Sequence, residues 1–342
     1  MRSARATHCE SWPRLIRVHW CWGGCAADWF AQVLHAHTSE EAQGFTSGWT
    51  AKLASYRGRN PARDFFRNTK LPVEPVNVTV IAKMPNGKDG ELVVPVILPH
   101  LLVDYLVSEC HLPIDNVRVR QYWSHMEAFQ DTVAVSTRAF RQAAGMPIVP
   151  LCLYGDEAQI GLQNAPMNKV LGMNLSFPLF RPKATRLSRF MLFCVDSEQI
   201  SSIEKTIFPI LHRLTESLNH LTDHGIDGRR FICTELRGDQ VWFRQLFRHQ
   251  SYWIAKKVCF RCQACTDIDT LDYTDLGVLS SGWASTLRTT AQFVANEIPQ
   301  GEEQCFLRGL SFFEVSLLKG CTLHILNLGM LAISNGSVLN FD

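Results

Sequence analysis

Two aspartates stand at matching places in two apolar runs. Ile148 to Tyr154 (IVPLCLY) leads into Gly155-Asp156-Glu157, and Phe231 to Leu236 leads into Gly238-Asp239. Carboxylates at strand ends are common catalytic positions in α/β proteins. If the two strands are neighbours, the acids can share divalent cations. Oxygen donors suit Mg²⁺ or Mn²⁺, and two metals ~3.5–4 Å apart stabilise the attacking and leaving oxygens of a phosphoryl transfer. Glu157 is the fallback acid, although alternation turns it to the opposite face. Asp239 has a second use as a helix N-cap, because Trp242, Leu246 and His249 recur on one helical stripe just after it. Asp196 and Glu235 read as solvated or structural.

Sulfur and nitrogen ligands form a second set. Cys259-Phe-Arg-Cys262 and Cys321-Thr-Leu-His324 both have the two-residue spacing of a metal knuckle. Together they make a Cys₃His tetrahedron, which suits structural Zn²⁺ clipping a long insert to the core. Cys265 and Cys305 are spare ligands, and the alternative is free thiols packed as small hydrophobes. Two basic groups lie near the acids in sequence. Arg181, Lys183, Arg186 and Arg189 precede the third strand, and Arg244, Arg248, Lys256 and Lys257 follow Asp239. Both groups could track phosphates, with a solvated charged face as the ordinary alternative.

These residues need elements to hold them. Val76 to Leu98 reads as a hairpin around Pro85-Asn-Gly-Lys-Asp-Gly90, with Pro95 putting the second strand at an edge or bulge. A helix starts near Pro99, and 115–146 are helical and linking. Strands follow at Ile148–Tyr154, Lys169–Pro178 and Arg189–Asp196. Ile203, Ile207, Ile210, Leu211, Leu214, Leu218 and Leu221 recur at helical spacing, with Pro209 kinking that helix near its start. The strand leading to Asp239 comes next. Strand, strand, strand, helix, strand is the order of a ribonuclease-H-like fold, in which the first and fourth strands lie side by side at the sheet centre. The predicted class is therefore α/β: a ribonuclease-H-like mixed sheet with helices, a small α+β N-terminal module and a zinc-knuckle-like insertion. The expected divisions are a poorly defined extension (1–75), a hairpin-plus-helix module (76–146) and the core with its Cys/His insertion (147–342). The extension holds Trp12, Trp20, Trp22, Trp29 and Trp49 with several Cys and His, but its His-x-His spacing is too tight for the usual finger.

Bulk composition narrows the classes. The 342 residues are 46% hydrophobic and 19% charged, enough for a globular core. A net charge of +2 makes any basic partner surface a local one. The absence of an apolar run of spanning length argues against a membrane protein. Twelve cysteines with no secretory signal point to a reducing, intracellular setting.

LYGDEAQIGLQNAP, FRPKATRLSRF, TELRGDQVWFRQLFRH, VCFRCQA and CTLHILNLGM resemble a transposase-like family abundant in repetitive protist genomes, over roughly Val76 to the C-terminus. More remotely the chain resembles eukaryotic cut-and-paste DDE transposases, several of which carry a Cys-x-x-His element after the second acid; Cys321-Thr-Leu-His324 matches it. The resemblance implies Asp156 and Asp239 as catalytic acids, Mg²⁺ or Mn²⁺ as cofactor, DNA as partner, a nuclear location and possible homo-oligomers. A third acid, normally on a helix beyond an insertion, is lacking: Glu297, Glu302, Glu303 and Glu314 precede the Cys-x-x-His element and sit in no convincing motif. The expectation is a C-terminally truncated copy with weak or no nuclease activity. The alternative is a non-catalytic, transposon-derived zinc module that binds nucleic acid or protein.

Overall fold

The computed structural model describes residues 73–160, 168–180, 188–251, 255–266, 282–298 and 304–320. The expected extension and the residues Arg181, Lys183, Arg186, Cys321 and His324 therefore lie outside the described residues, apart from the extension's last few positions.

The hairpin forms as its alternation requires. Strands β1 (Val76–Lys83) and β2 (Asp89–Val96) pair antiparallel from Val76↔Val96 to Lys83↔Asp89. Val78, Val80, Ala82, Val94 and Val96 point inward and are buried. Gly87, at φ 77°, closes the turn. Pro95 faces Asn77 in a sheet of two strands, where both are edges and the missing N–H costs little. A lone hairpin is marginal in water, and this one is welded to the rest. The Ile97 N–H donates to the Leu192 carbonyl (2.8 Å) and the Thr206 hydroxyl to the Ile81 carbonyl (2.6 Å). Its inward valines belong to the same apolar cluster as the larger sheet.

Helices α1 (Pro99–Asp104), α2 (Asn116–Ala128), α3 (Thr132–Ser136) and α4 (Arg138–Ala143) link the hairpin to that sheet. The carboxylates of Asp115 and Asp131 cap α2 and α3. Trp123 of α2 donates its indole N–H to the Ile148 carbonyl at 2.7 Å, fixing α2 against the first strand of the sheet.

That sheet has five strands in the order β5-β4-β3-β6-β7. They are β3 (Ile148–Ile160), β4 (Asn168–Ser176), β5 (Arg189–Asp196), β6 (Arg230–Gly238) and the short β7 (Leu318–Gly320). The first three form an antiparallel meander, while β6 and β7 run parallel to β3. A parallel return needs a crossover, supplied by α5 (Phe208–Asp223), whose Phe208, Leu211, Leu214, Leu218 and Leu221 are buried. Pro209 falls in the first turn of α5, after a π-helical turn at Ile203–Ile207. The Phe208 N–H still bonds back to the Ile203 carbonyl, so Pro209 sits in a continuous helical run and, lacking an N–H, interrupts its ladder where the π-helical turn gives way to α5.

One boundary differs from the sequence expectation. Gly155-Asp156-Glu157 does not end its strand: β3 continues to Ile160 because β4 keeps pairing with it, through Asp156↔Gly172 to Ile160↔Asn168. What ends near Asp156 is the pairing with β6, whose last partners are Tyr154↔Arg237.

Alternation sorts the central strands. Leu151 and Leu153 are fully buried on one face with Gly155, while Cys152, Tyr154 and Asp156 take the other. Trp242, in helix α6 (Gln240–Phe247), lies directly on Gly155 and Gly238. A Cβ on Gly155 would land inside the indole, and one on Gly238 would lie 2.9 Å from Trp242 Cε3. Both glycines are therefore steric requirements of this packing. Gly155→Ala should destabilise the fold by about 1–3 kcal/mol, the usual cost of overpacking a dense core. The urea unfolding midpoint checks this, and an unchanged midpoint would show that the indole does not rest on the strand.

Candidate functional site

Asp156 and Asp239 each stand two residues beyond the last parallel pair, Tyr154↔Arg237, Asp156 still within β3 and Asp239 just past the end of β6. Asp156 is held on both oxygens: Oδ2 accepts the Tyr154 hydroxyl at 2.7 Å and Oδ1 the Glu157 N–H at 2.8 Å. Glu157 pairs instead with Lys169 at 3.3 Å. Asp239 is the N-cap of α6, its Oδ1 accepting the Trp242 N–H at 2.6 Å. Each carboxylate oxygen that accepts one hydrogen bond keeps a further lone pair. The donor set is therefore hard and anionic, as Mg²⁺ or Mn²⁺ needs.

The surroundings of Asp156 are polar. The Arg189 guanidinium stands 5.1 Å over the Tyr154 ring, and Arg237 pairs with Glu235 at 2.5 Å. Deeper in the sheet, burial pushes the Cys152 thiol up to about 12 and raises that of Cys233. Burial likewise raises the Tyr122 phenol, which lies beside Glu235 and Cys152. These groups stay protonated at neutral pH and offer no nucleophile. Asp196 accepts the Glu198 N–H at 2.9 Å in the turn after β5. Among the described residues, no group of three or more His, Cys, Asp or Glu side chains is arranged to hold a metal ion.

The basic residues divide. Arg189 is exposed beside Tyr154, and Arg244 is exposed on α6. Arg248 terminates α6 in the left-handed region (φ 54°) and forms an ion pair with Glu204. Its charge thus meets a carboxylate of the chain itself. Lys256 and Lys257 are exposed and flank the cysteine knuckle.

That knuckle is well formed. The Arg261 N–H donates to Cys259 Sγ at 3.3 Å. Around it, the Val258 N–H meets the Ala264 carbonyl at 3.3 Å and Lys257 bridges to Cys265. The Cys259 thiol is drawn down to about 6, first by its hydrogen bond with Cys262 and then by backbone N–H groups, while the Cys262 thiol is raised. Two sulfurs with N–H···S support at Cys259 are a donor pair of the kind half of a tetrahedral Zn²⁺ site uses. The other half, Cys321 and His324, lies outside the described residues. Of the spare thiols, Cys305 is buried, which pushes it up to about 12, so it behaves as a small core hydrophobe. Cys265 is buried in the knuckle itself.

Sequence reasoning missed what anchors the knuckle. Phe260, between the two cysteines, packs against Phe243, Phe293 and His249 at centroid distances of 6.0, 6.1 and 4.8 Å. Arg288 donates to the Phe260 carbonyl at 3.1 Å and forms an ion pair with Glu297 of α7 (Thr290–Glu297). Glu297 is fully buried and also accepts the Ser251 hydroxyl at 2.7 Å. This pairing removes it from the search for a third acid. One local signal was present: Thr289-Thr-Ala-Gln292 makes a capping box at the start of α7.

His249 is 1% exposed, and among the described residues neither ring nitrogen has a hydrogen-bond partner. Burial lowers its pKa from 6.5 to about 4. The unfolded chain therefore takes up this proton first as pH falls. Stability should be fully present above pH ~6.5 and decline towards pH ~4, by at most about 3 kcal/mol from this group. Urea unfolding of wild type and His249→Phe across that range checks it: the stability of the variant relative to wild type should rise as pH falls. A pH-independent difference would count against the buried neutral imidazole.

A scan of the chain against protein-family models finds no match, and no curated protein is significantly similar to it.

Proposed function

We propose that this chain is a transposase-like, ribonuclease-H-type protein whose chemistry is divalent-metal-dependent cleavage or transfer of DNA strands. The observation that carries this reading is the pair of Gly-Asp dipeptides that directly follow the last parallel pair of β3 and β6, the first and fourth strands in chain order of the five-stranded sheet. Asp156 and Asp239 would hold the cation, which when bound supplies charge neutralisation for phosphoryl transfer. Tyr154 fixes the Asp156 carboxylate, and the Trp242 N–H fixes that of Asp239. Exposed Arg189 and Arg244, with Lys256 and Lys257, would contact DNA phosphates. Cys259 and Cys262, together with Cys321 and His324, would bind one structural Zn²⁺.

A second reading has its own support: Asp239 already serves as a helix N-cap. On that reading the chain is a non-catalytic zinc module that binds nucleic acid or protein.

Asparagine caps helices about as well as aspartate, so Asp239→Asn separates the two. On the first reading, Asp156→Asn and Asp239→Asn both keep the fold. Each weakens Mn²⁺ binding by at least about tenfold, the loss that even an outer-shell change can give, and abolishes any Mn²⁺-dependent DNA cleavage. Unchanged Mn²⁺ affinity in both variants would leave the non-catalytic reading standing.

For zinc, elemental analysis of the purified protein should find one ion per chain, lost in Cys262→Ser and in His324→Ala. Faster amide exchange should then be confined to the knuckle around 255–266, because the sheet holds without it. Protein purified without zinc, or zinc retained in Cys262→Ser, would overturn the assignment.

A further inference from the structure

Three histidines meet at the end of β6 away from Asp239. His220 lies in the last turn of α5 and His224 is its C-cap, still in the helical region, so the two stand at i and i+4 on one face. Their rings lie 4.4 Å apart at 23°. His100, in the first turn of α1, brings a third ring to 5.0 Å from His220. Its Nδ1 is 2.8 Å from the Ser217 hydroxyl oxygen, which also accepts the His100 backbone N–H at 2.9 Å. Ser217 is itself buried, so it fixes the ring and leaves Nε2 as the outward nitrogen. His220 and His224 are exposed.

We propose that His220 and His224 chelate one borderline divalent ion of the Zn²⁺, Ni²⁺ or Cu²⁺ class, with His100 as third ligand and Ser217 as the residue that positions it. Neutral imidazoles select such ions over Mg²⁺ or Ca²⁺. Two histidines one helical turn apart reach a common ion from one face. A ligating histidine whose second nitrogen is hydrogen-bonded is the usual arrangement around a metal, since that bond sets the tautomer and the ring direction. As they stand, the rings stack and do not enclose an ion; uptake requires the exposed His224 ring to turn about its side-chain bonds. A bound ion would tie the start of α1 to the end of α5, across the junction between the hairpin-linked helices and the sheet crossover.

The test is calorimetric titration of Ni²⁺ into the tag-free full chain, repeated in a Cys259→Ser/Cys262→Ser background to remove the thiolate pair. One Ni²⁺ site should persist in that background. His220→Ala and His224→Ala should each weaken it at least about tenfold, and Ser217→Ala about tenfold, as for other outer-shell partners. Metal-free melting temperatures of the two exposed-histidine variants should match wild type. Affinity unchanged by His220→Ala and His224→Ala would overturn the site. Affinity unchanged by both His100→Gln and Ser217→Ala would overturn the three-ligand arrangement.

Discussion

The closeness of the Trp242 indole to the two central strands is the constraint on which the rest depends. An indole can lie flat on a sheet only where side chains are absent, and Gly155 and Gly238 provide that space on neighbouring strands. Its burial supplies a large apolar contact at the sheet's centre. Because Trp242 is the third residue of α6, the same contact sets where that helix begins. The residue one turn earlier is Asp239, and its carboxylate meets the Trp242 N–H. Packing on one face of the sheet thus determines the placement of an acid at the end of the inner strand β6. Asp156 follows Gly155 directly, so its carboxylate points away from the indole and is held by the Tyr154 hydroxyl.

The cysteine knuckle depends on a different kind of interaction. A carboxylate as deeply buried as Glu297 is tolerable only when paired and hydrogen-bonded. Arg288 and Ser251 satisfy it, and Arg288 reaches on to the Phe260 carbonyl. One charged pair therefore joins three separate stretches of chain: the segment after α6, the knuckle and α7. Losing either partner would leave an unpaired charge in the core, which is costly. The ring contacts of Phe260 with Phe243, Phe293 and His249 complete a largely apolar surrounding for this joint. Cys259 and Cys262 flank Phe260 in this joint, the first half-buried and the second buried.

Much of the fold was legible in the sequence, because its signals are local. The alternation of Val76 to Ile81 and the turn chemistry of Pro85 to Gly90 specify a hairpin from a few neighbouring residues, although its stability comes from the rest of the fold. The leucine spacing of α5 and the apolar run of β5 are equally self-contained, and β5 spans Arg189–Asp196 as its composition indicates. The capping use of Asp239 could also be read, since a short polar side chain before an amphipathic stripe satisfies free helix N–H groups in any context.

What only the tertiary structure decided were matters of pairing between distant residues. Whether β3 stops at Asp156 or runs on depends on β4 remaining bonded to it, which no feature of IVPLCLYGDE encodes. That Arg248 meets Glu204, and that Arg288 meets Glu297, follows from where helices dock, and sequence spacing carries no record of it. The meeting of His100 with His220 spans more than a hundred residues and exists only because α1 packs across the end of α5. The sequence by itself determined periods, turns and caps, since those energies arise within a few residues. Partnership, burial and proton affinity arise from neighbours that the chain brings together only by folding.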